Sequence, residues 1–294
     1  MKKLTGDKLV FTIISFIFIL VVALLCLVPF VLVLAGSFES QDQILLHGYG
    51  FIPREFTLDA YKTAFLNPEG LINSYTITIT VTVIGTLLGL FTTAMTAYVL
   101  SRKDFEWRNK FSFFFYFTTI LNGGLVPWYI LCVRYLKLND NILGLLLPFM
   151  LSVFNILVMK SFMNSIPEAI SESGKIDGAN DFRIFTTLIL PLSKPALATI
   201  GLFIALMYWN DWFLSYIFMQ NSKLFSLQYY LYKIVAGAEA LKKLTNVPGR
   251  ENVVVPTESL KLAMTIISTG PIILLYPFVQ KYFVSGLTIG AVKG

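Results

Sequence analysis

The sequence predicts an all-α, polytopic membrane protein with six transmembrane helices. Of its 294 residues, 56% are hydrophobic and 14% charged, where a soluble domain carries roughly a quarter charged. Mean hydropathy is +0.71. Apolar runs of about 20 residues or more, enough to cross a hydrocarbon core about 30 Å thick, recur along the chain. They read as spans 9–36, 71–100, 111–133, 141–163, 195–219 and 259–284 of one membrane domain over 1–294.

The first span follows Lys2, Lys3 and Lys8. Its apolar core is too long for a secretory signal, and no small-residue cleavage site or lipobox precedes Cys26, so an uncleaved helix is expected. The second span holds Gly85 and Gly89 in a GxxxG spacing, a pattern that serves helix packing more often than transport. Asn122, Gly123 and Gly124, with Pro127 behind them, interrupt the third span near mid-membrane, where free backbone groups are tolerated only against protein or a wet cavity. They are candidates for a pathway wall.

The fifth span contains Tyr208-Trp209-Asn210-Asp211-Trp212. Asp211 sits about two-thirds of the way out along helix 195–219, and an ionised group costs about 3 kcal/mol at membrane centre unless it faces protein or water. Trp209, Asn210 and Asp211 combine ring faces with hydrogen-bonding groups, as sugar recognition needs. Three readings stay open for this stretch: lining a path, contacting a partner subunit, or an outer aromatic belt with Trp212 and Tyr216.

Lys/Arg placement sets the orientation. Lys2, Lys3 and Lys8 at the start, and Arg102, Lys103, Arg108 and Lys110 in "SRKDFEWRNK", outweigh Arg54 and Lys62 in loop 36–70, which predicts both termini in the cytoplasm. The net charge of +6 is accounted for by topology and implies no nucleic-acid partner. Cys26 and Cys132 lie in spans and His47, the sole histidine, in a loop, so neither a disulfide framework nor a metal site is expected. No clustered carboxylates or Cys/His pair within the spans suggest a catalytic residue.

The polar insert 164–194 parses into two helices. Ser165-Ile166-Pro167-Glu168 fits a capping box with proline in the first turn. Asp177-Gly178 reads as a helix end, and Asn180 or Asp181 as the cap of a second helix carrying Phe182, Phe185 and Ile189 on one face, up to Pro191 and Pro195. From pattern alone this pair is either an interfacial connector or a docking knob for a cytoplasmic protein, the acids among its cations disfavouring anionic lipid.

Glu172-Ser173-Gly174, Asp177-Gly178-Ala179, Phe185, Leu190-Pro191-Leu192 and Pro195 resemble the EAA loop of permease subunits in binding-protein-dependent ABC importers. "VQKYFVSGLTIGAVKG" (279–294) is similar to the carboxyl end of carbohydrate-importer permeases of the maltose G-subunit type, and "LNGGLVPWYILCVRYLKLND" (121–140) to the branch handling complex oligosaccharides. Ser173 and Gly174 stand where the pattern has alanines, which weakens the first helix.

The resemblance implies that 164–194 is a coupling loop seated in a groove of an ATPase, with Glu172 anchoring, Gly178 setting the angle between the helices, and Ser173, Gly174, Asp177 and Ala179 beside them. It further implies a heterodimer with a second permease subunit, a cytoplasmic ATPase dimer, an extracytoplasmic substrate-binding protein and a carbohydrate substrate, in the cell membrane. The tail 286–294 would reach along the ATPase, and outer loop 220–258 toward the binding protein. A P-loop is missing, since "SGKI" (173–176) lacks its first glycine and hydroxyl residue. ATP and Mg would be bound by the partner, and this chain would need no cofactor. The competing class is a self-contained secondary transporter or channel, which would need an inverted repeat or a relay of intramembrane acids that the sequence does not display.

Overall fold

The computed structural model describes residues 6–245 and 257–273. Within them the regular elements are helical, apart from an isolated antiparallel bridge between Glu39 and Phe56. Helices α1 (Gly6–Ser37) and α4 (Pro68–Ser101) are each long and apolar enough to cross a membrane alone. Short helices α2 (Gln41–His47) and α3 (Asp59–Ala64) lie between them.

The third and fourth expected spans are broken. The third is α5 (Arg108–Ile120) and α6 (Leu125–Tyr135), bent by 113°; the fourth is α7 (Leu143–Phe149) and α8 (Val153–Met163), bent by 49°. The insert supplies α9 (Glu168–Ile176) and α10 (Asp181–Leu192), and α10 meets α11 (Lys194–Trp209) at 85°. The fifth expected span is interrupted too: α11 stops at Trp209 and α12 (Phe213–Phe218) resumes after three residues.

In the segment expected as outer loop 220–258, the described residues are mostly helix, chiefly α13 (Leu227–Thr245). Its polar stretch from Ala236 to Thr245 carries alanines, leucines and lysines that favour helix. Residues 246–256, and the expected sixth span beyond the helix 257–273 (α14), lie outside the described residues, as does the tail 286–294.

Among the described residues, the domain expected over 1–294 carries two packing centres, one in residues 6–68 with 231–245 and 257–271, the other in 69–230 with 272–273. In the first, α1 is apolar all round and its membrane-crossing stretch is unburied, the signature of a helix whose neighbours are lipid or another chain. Only its end packs: Gly36 comes so close to α14 that a Cβ would sit 2.5 Å from Leu262 Cδ1. Gln41 caps α14, its Oε1 accepting from Glu258 N at 2.8 Å and Ser259 N at 3.3 Å.

The second centre is built on α4, α8, α10 and α11, with Ala94, Ala97, Met159, Ile184, Phe185, Ile200 and Ile204 all buried. The GxxxG pair faces α11: a Cβ on Gly85 would lie 2.4–2.9 Å from the Tyr208 ring, and one on Gly89 would lie 3.1 Å from Met150 O. Tyr208 cannot swing aside, because its hydroxyl donates to Leu146 O at 2.7 Å in a buried site. Small residues thus serve close packing here, as their spacing suggests.

Candidate functional site

Helix α9 begins at Glu168 behind an extended Pro167 (ψ 131°). The capping box at Ser165 does not form. Two tight backbone bonds, Ser165 N to Phe162 O and Ile166 N to Met163 O, keep Ser165 in the tail of α8, and its hydroxyl donates to Phe162 O at 2.6 Å instead.

The other end of α9 closes in a Schellman arrangement. Gly178, at φ +75°, donates its N–H to Lys175 O at 3.0 Å, and Ala179 donates to Gly174 O at 2.9 Å. A Cβ on Gly178 would meet nothing within 4 Å. Asn180 then caps α10, Oδ1 accepting from Arg183 N at 2.8 Å. Gly174 is buried, and a Cβ there would lie 3.0 Å from Ile184 Cγ1 and 3.1 Å from Leu188 Cδ1. The glycine that weakens α9 by about 1 kcal/mol relative to alanine therefore lets α9 and α10 approach closely.

Much of the insert's charge is used inside the molecule. Arg102, just past the end of α4, pairs with both Asp104 and Asp181; Lys175 Nζ donates to Asp104 Oδ2 at 2.8 Å; Lys103 pairs with Glu168. Hydrogen bonds from Arg102 and then Lys175 hold the Asp104 carboxyl well below the usual carboxylate range, and Asp104 in turn raises Lys175. The 102–104 turn is thus fastened to α9 through Glu168 and Lys175 and to α10 through Asp181.

Sequence reasoning missed Arg102, Lys103 and Asp104 as members of the site. Their alternating signs were visible, but pairing with residues some 65–80 positions away is a fact of folding. By contrast, Glu172 and Asp177 are exposed and have no ionic or hydrogen-bonded side-chain partner among the described residues, and Ile176 next to Asp177 is 86% exposed. Ser173 is exposed on the same short helix. Between the 101–109 turn and α9 opens a cleft of about 800 Å³, with Arg102, Lys103, Arg108, Lys160, Glu168 and Glu172 in its walls.

The path candidates fall at the two helix breaks. Asn122, Gly123 and Gly124 are exposed at the bend between α5 and α6, where Gly124 adopts φ +85° and donates its N–H to Asn122 Oδ1 at 2.9 Å. At the other break Trp209 is buried, while Asn210 is exposed and folds its amide back onto Leu206 O at 2.9 Å. Asp211 is not carried on a continuous helix. Its Oδ1 accepts from Phe213 N at 3.2 Å and Leu214 N at 3.3 Å, starting α12, and its carbonyl accepts from Ser226 Oγ at 2.9 Å. The intramembrane acid thus satisfies backbone N–H groups freed by the break.

Asp211→Ala is expected to cost about 1 kcal/mol through the lost cap, read as a lower melting temperature of the purified assembly, whereas Asp211→Asn, which keeps the acceptor, should melt as wild type. An Asn variant of unchanged stability that no longer transports would instead assign the charge to the path.

No family model matches the chain. It is 36% identical over 294 residues, the full length of both chains, to the polygalacturonan/rhamnogalacturonan transport system permease protein YtcP of Bacillus subtilis (strain 168). It is also 36% identical over 285 residues to protein LplC of the same organism, covering 97% of this chain and 95% of LplC. Among solved structures, a chain of a bacterial ABC transporter involved in the import of the acidic polysaccharide alginate superposes with a TM-score of 0.76 at 30% identity, over 96% of this chain and 100% of that one.

Proposed function

Because the chain belongs to the permease family of carbohydrate ABC importers, we propose that it carries an oligosaccharide across the cell membrane by alternating access, driven by ATP hydrolysed on separate subunits. The chain itself is non-catalytic and uses no cofactor; ATP and Mg belong to a cytoplasmic ATPase dimer. A second permease completes the pathway as a heterodimer, and an extracytoplasmic binding protein delivers the sugar. Both termini and the insert face the cytoplasm. Since the relatives' names refer to polygalacturonan and to the acidic polysaccharide alginate, the substrate class we favour is a fragment of an acidic polysaccharide. The likeness to importer permeases over the whole chain disfavours a secondary transporter or channel.

The observation that carries the coupling role is the division of charge on the insert. Glu168, Lys175 and Asp181 are used internally, while Glu172 and Asp177 stand unpaired beside an exposed Ile176. Such a tip offers two carboxylates and an apolar side chain to a groove on a cationic partner. Gly174 and Ala179 shape the turn behind it, and Gly178 sets the bend. The path is assigned to Asn122, Gly123, Gly124 and Asn210, supported from behind by Trp209 and Asp211.

Glu172→Lys with Asp177→Lys, co-expressed with the partner permease and ATPase, should leave membrane insertion intact and abolish co-purification of the ATPase. Reversing an interfacial charge pair costs at least the 2–5 kcal/mol of truncating one. Full co-purification with normal substrate-stimulated hydrolysis would refute the assignment.

A further inference from the structure

The cleft between the 101–109 turn and α9 holds two cations that the ionic network leaves over. Arg102, Lys103 and Lys175 each have a carboxylate partner. Arg108 and Lys160 have none within 4 Å among the described residues: Lys160 Nζ donates to Ser112 Oγ at 2.7 Å, and Arg108 donates to the carbonyl of Arg102 at 3.5 Å. Asn109 and Asn164 add hydrogen-bonding groups to the same walls. Three carboxylates, Asp104, Glu168 and Glu172, share the walls with five cations, so the excess charge is positive; with amides and a hydroxyl near Arg108 and Lys160, it makes a receptor for a phosphate-type anion.

The surroundings select the source of that anion. Helix α5, which starts at Arg108, buries none of its residues, and Phe111, Phe113, Phe114, Tyr116 and Phe117 are exposed along it. Trp107, half exposed, carries the Lys110 ammonium over its ring at 4.2 Å from the centroid. An amphipathic Trp with flanking cations at the foot of an aromatic helix marks a membrane–water interface. A dissolved anion would use only the cations; a lipid seated there would join them to the apolar face that α5 turns outward.

We propose that Arg108 and Lys160 seat the headgroup of an anionic phospholipid, whose acyl chains lie along the exposed face of α5. Basic pockets between transmembrane helices on the cytoplasmic side suit such headgroups. The placement rests on the membrane orientation given under Proposed function.

The test uses the complete transporter, purified in detergent and reconstituted in nanodiscs of phosphatidylcholine with or without phosphatidylglycerol. Native mass spectrometry should find phosphatidylglycerol retained by wild type and by Arg108→Lys with Lys160→Arg. With Arg108→Gln and Lys160→Gln it should be retained about thirtyfold more weakly, about 1 kcal/mol for each cation. Equal retention by the Gln variant, displacement of the lipid by inorganic phosphate at comparable concentration, or occupancy of the cleft by an acidic segment of the ATPase in a crosslinking map would each overturn the proposal. ATPase stimulation is measured on the same samples, so loss of lipid with intact coupling, and the reverse, separate this site from the coupling tip.

Discussion

A Gly178→Leu transporter is expected to insert and assemble normally but to hydrolyse ATP at a rate that substrate no longer changes. The residue stands at φ +75° with open space where a side chain would go, so the substitution meets no clash. It meets a backbone penalty of about 1–2 kcal/mol for a left-handed non-glycine residue. The chain can relieve that penalty by leaving the left-handed region, which breaks the bonds to Lys175 O and Gly174 O that close α9. The core residues of α4, α8 and α11 are far along the chain from this turn, so the fold survives while the angle between α9 and α10 does not. The measurement is ATP turnover in proteoliposomes with and without loaded binding protein. Stimulation equal to wild type would show that the bend carries no signal.

Arg102→Gln should have the second largest effect, because one guanidinium joins Asp104 and Asp181 and so ties the end of α4 to the start of α10. Its side chain is only 19% exposed, while the two acids are about half exposed or more. The loss lies between that of a surface pair and that of a buried pair missing one partner, about 1–3 kcal/mol. Coupling should fall further than stability, since α9 and α10 would then be held to the 102–104 turn by Lys175 and Lys103 without the Arg102 tie.

The pH dependence of this network follows from its groups. Asp104 has its carboxyl held below its ordinary value of about 3.9; its pairing is fully present above about pH 4 and is lost as pH falls through the folded value. Lys175 is raised, so its contribution is present below about pH 10.4 and is lost as pH rises past the folded value. The melting difference between wild type and Asp104→Asn should therefore stay constant from about pH 5 to about pH 9 and shrink below about pH 4. A difference that changed steadily near neutrality would point to another titrating group.

Hydropathy pointed to long apolar helices such as α1 and α4, because a membrane demands length and apolarity and both are local properties of the chain; it did not point to α13, whose polar end it read as loop. It could not see how the helices bend. Asn122-Gly123-Gly124 announced an interruption, yet the 113° turn it makes depends on Gly124 reaching φ +85° rather than on composition. Asp211 was read as a charge inside a helix, whereas the helix stops before it and the carboxylate caps the next one; hydrophobic flanks on both sides hid the break. Gly178 was legible, since only glycine sits comfortably in a Schellman turn. The pairs of Arg102 with Asp181, Lys103 with Glu168 and Asp104 with Lys175 were not, because they join stretches that only the tertiary fold brings together. Ser165 shows the reverse failure: a good local pattern lost to two competing backbone bonds at the end of α8.

The glycine contact at position 174 has a mechanical meaning. With no Cβ between them, α9 meets Ile184 and Leu188 of α10 at near-contact distance, and tightly packed atoms have little room to compress. A linkage without clearance has no backlash. Displacement of α9 should then appear in α10, and across its 85° elbow in α11, from the first fraction of the stroke rather than after a dead interval.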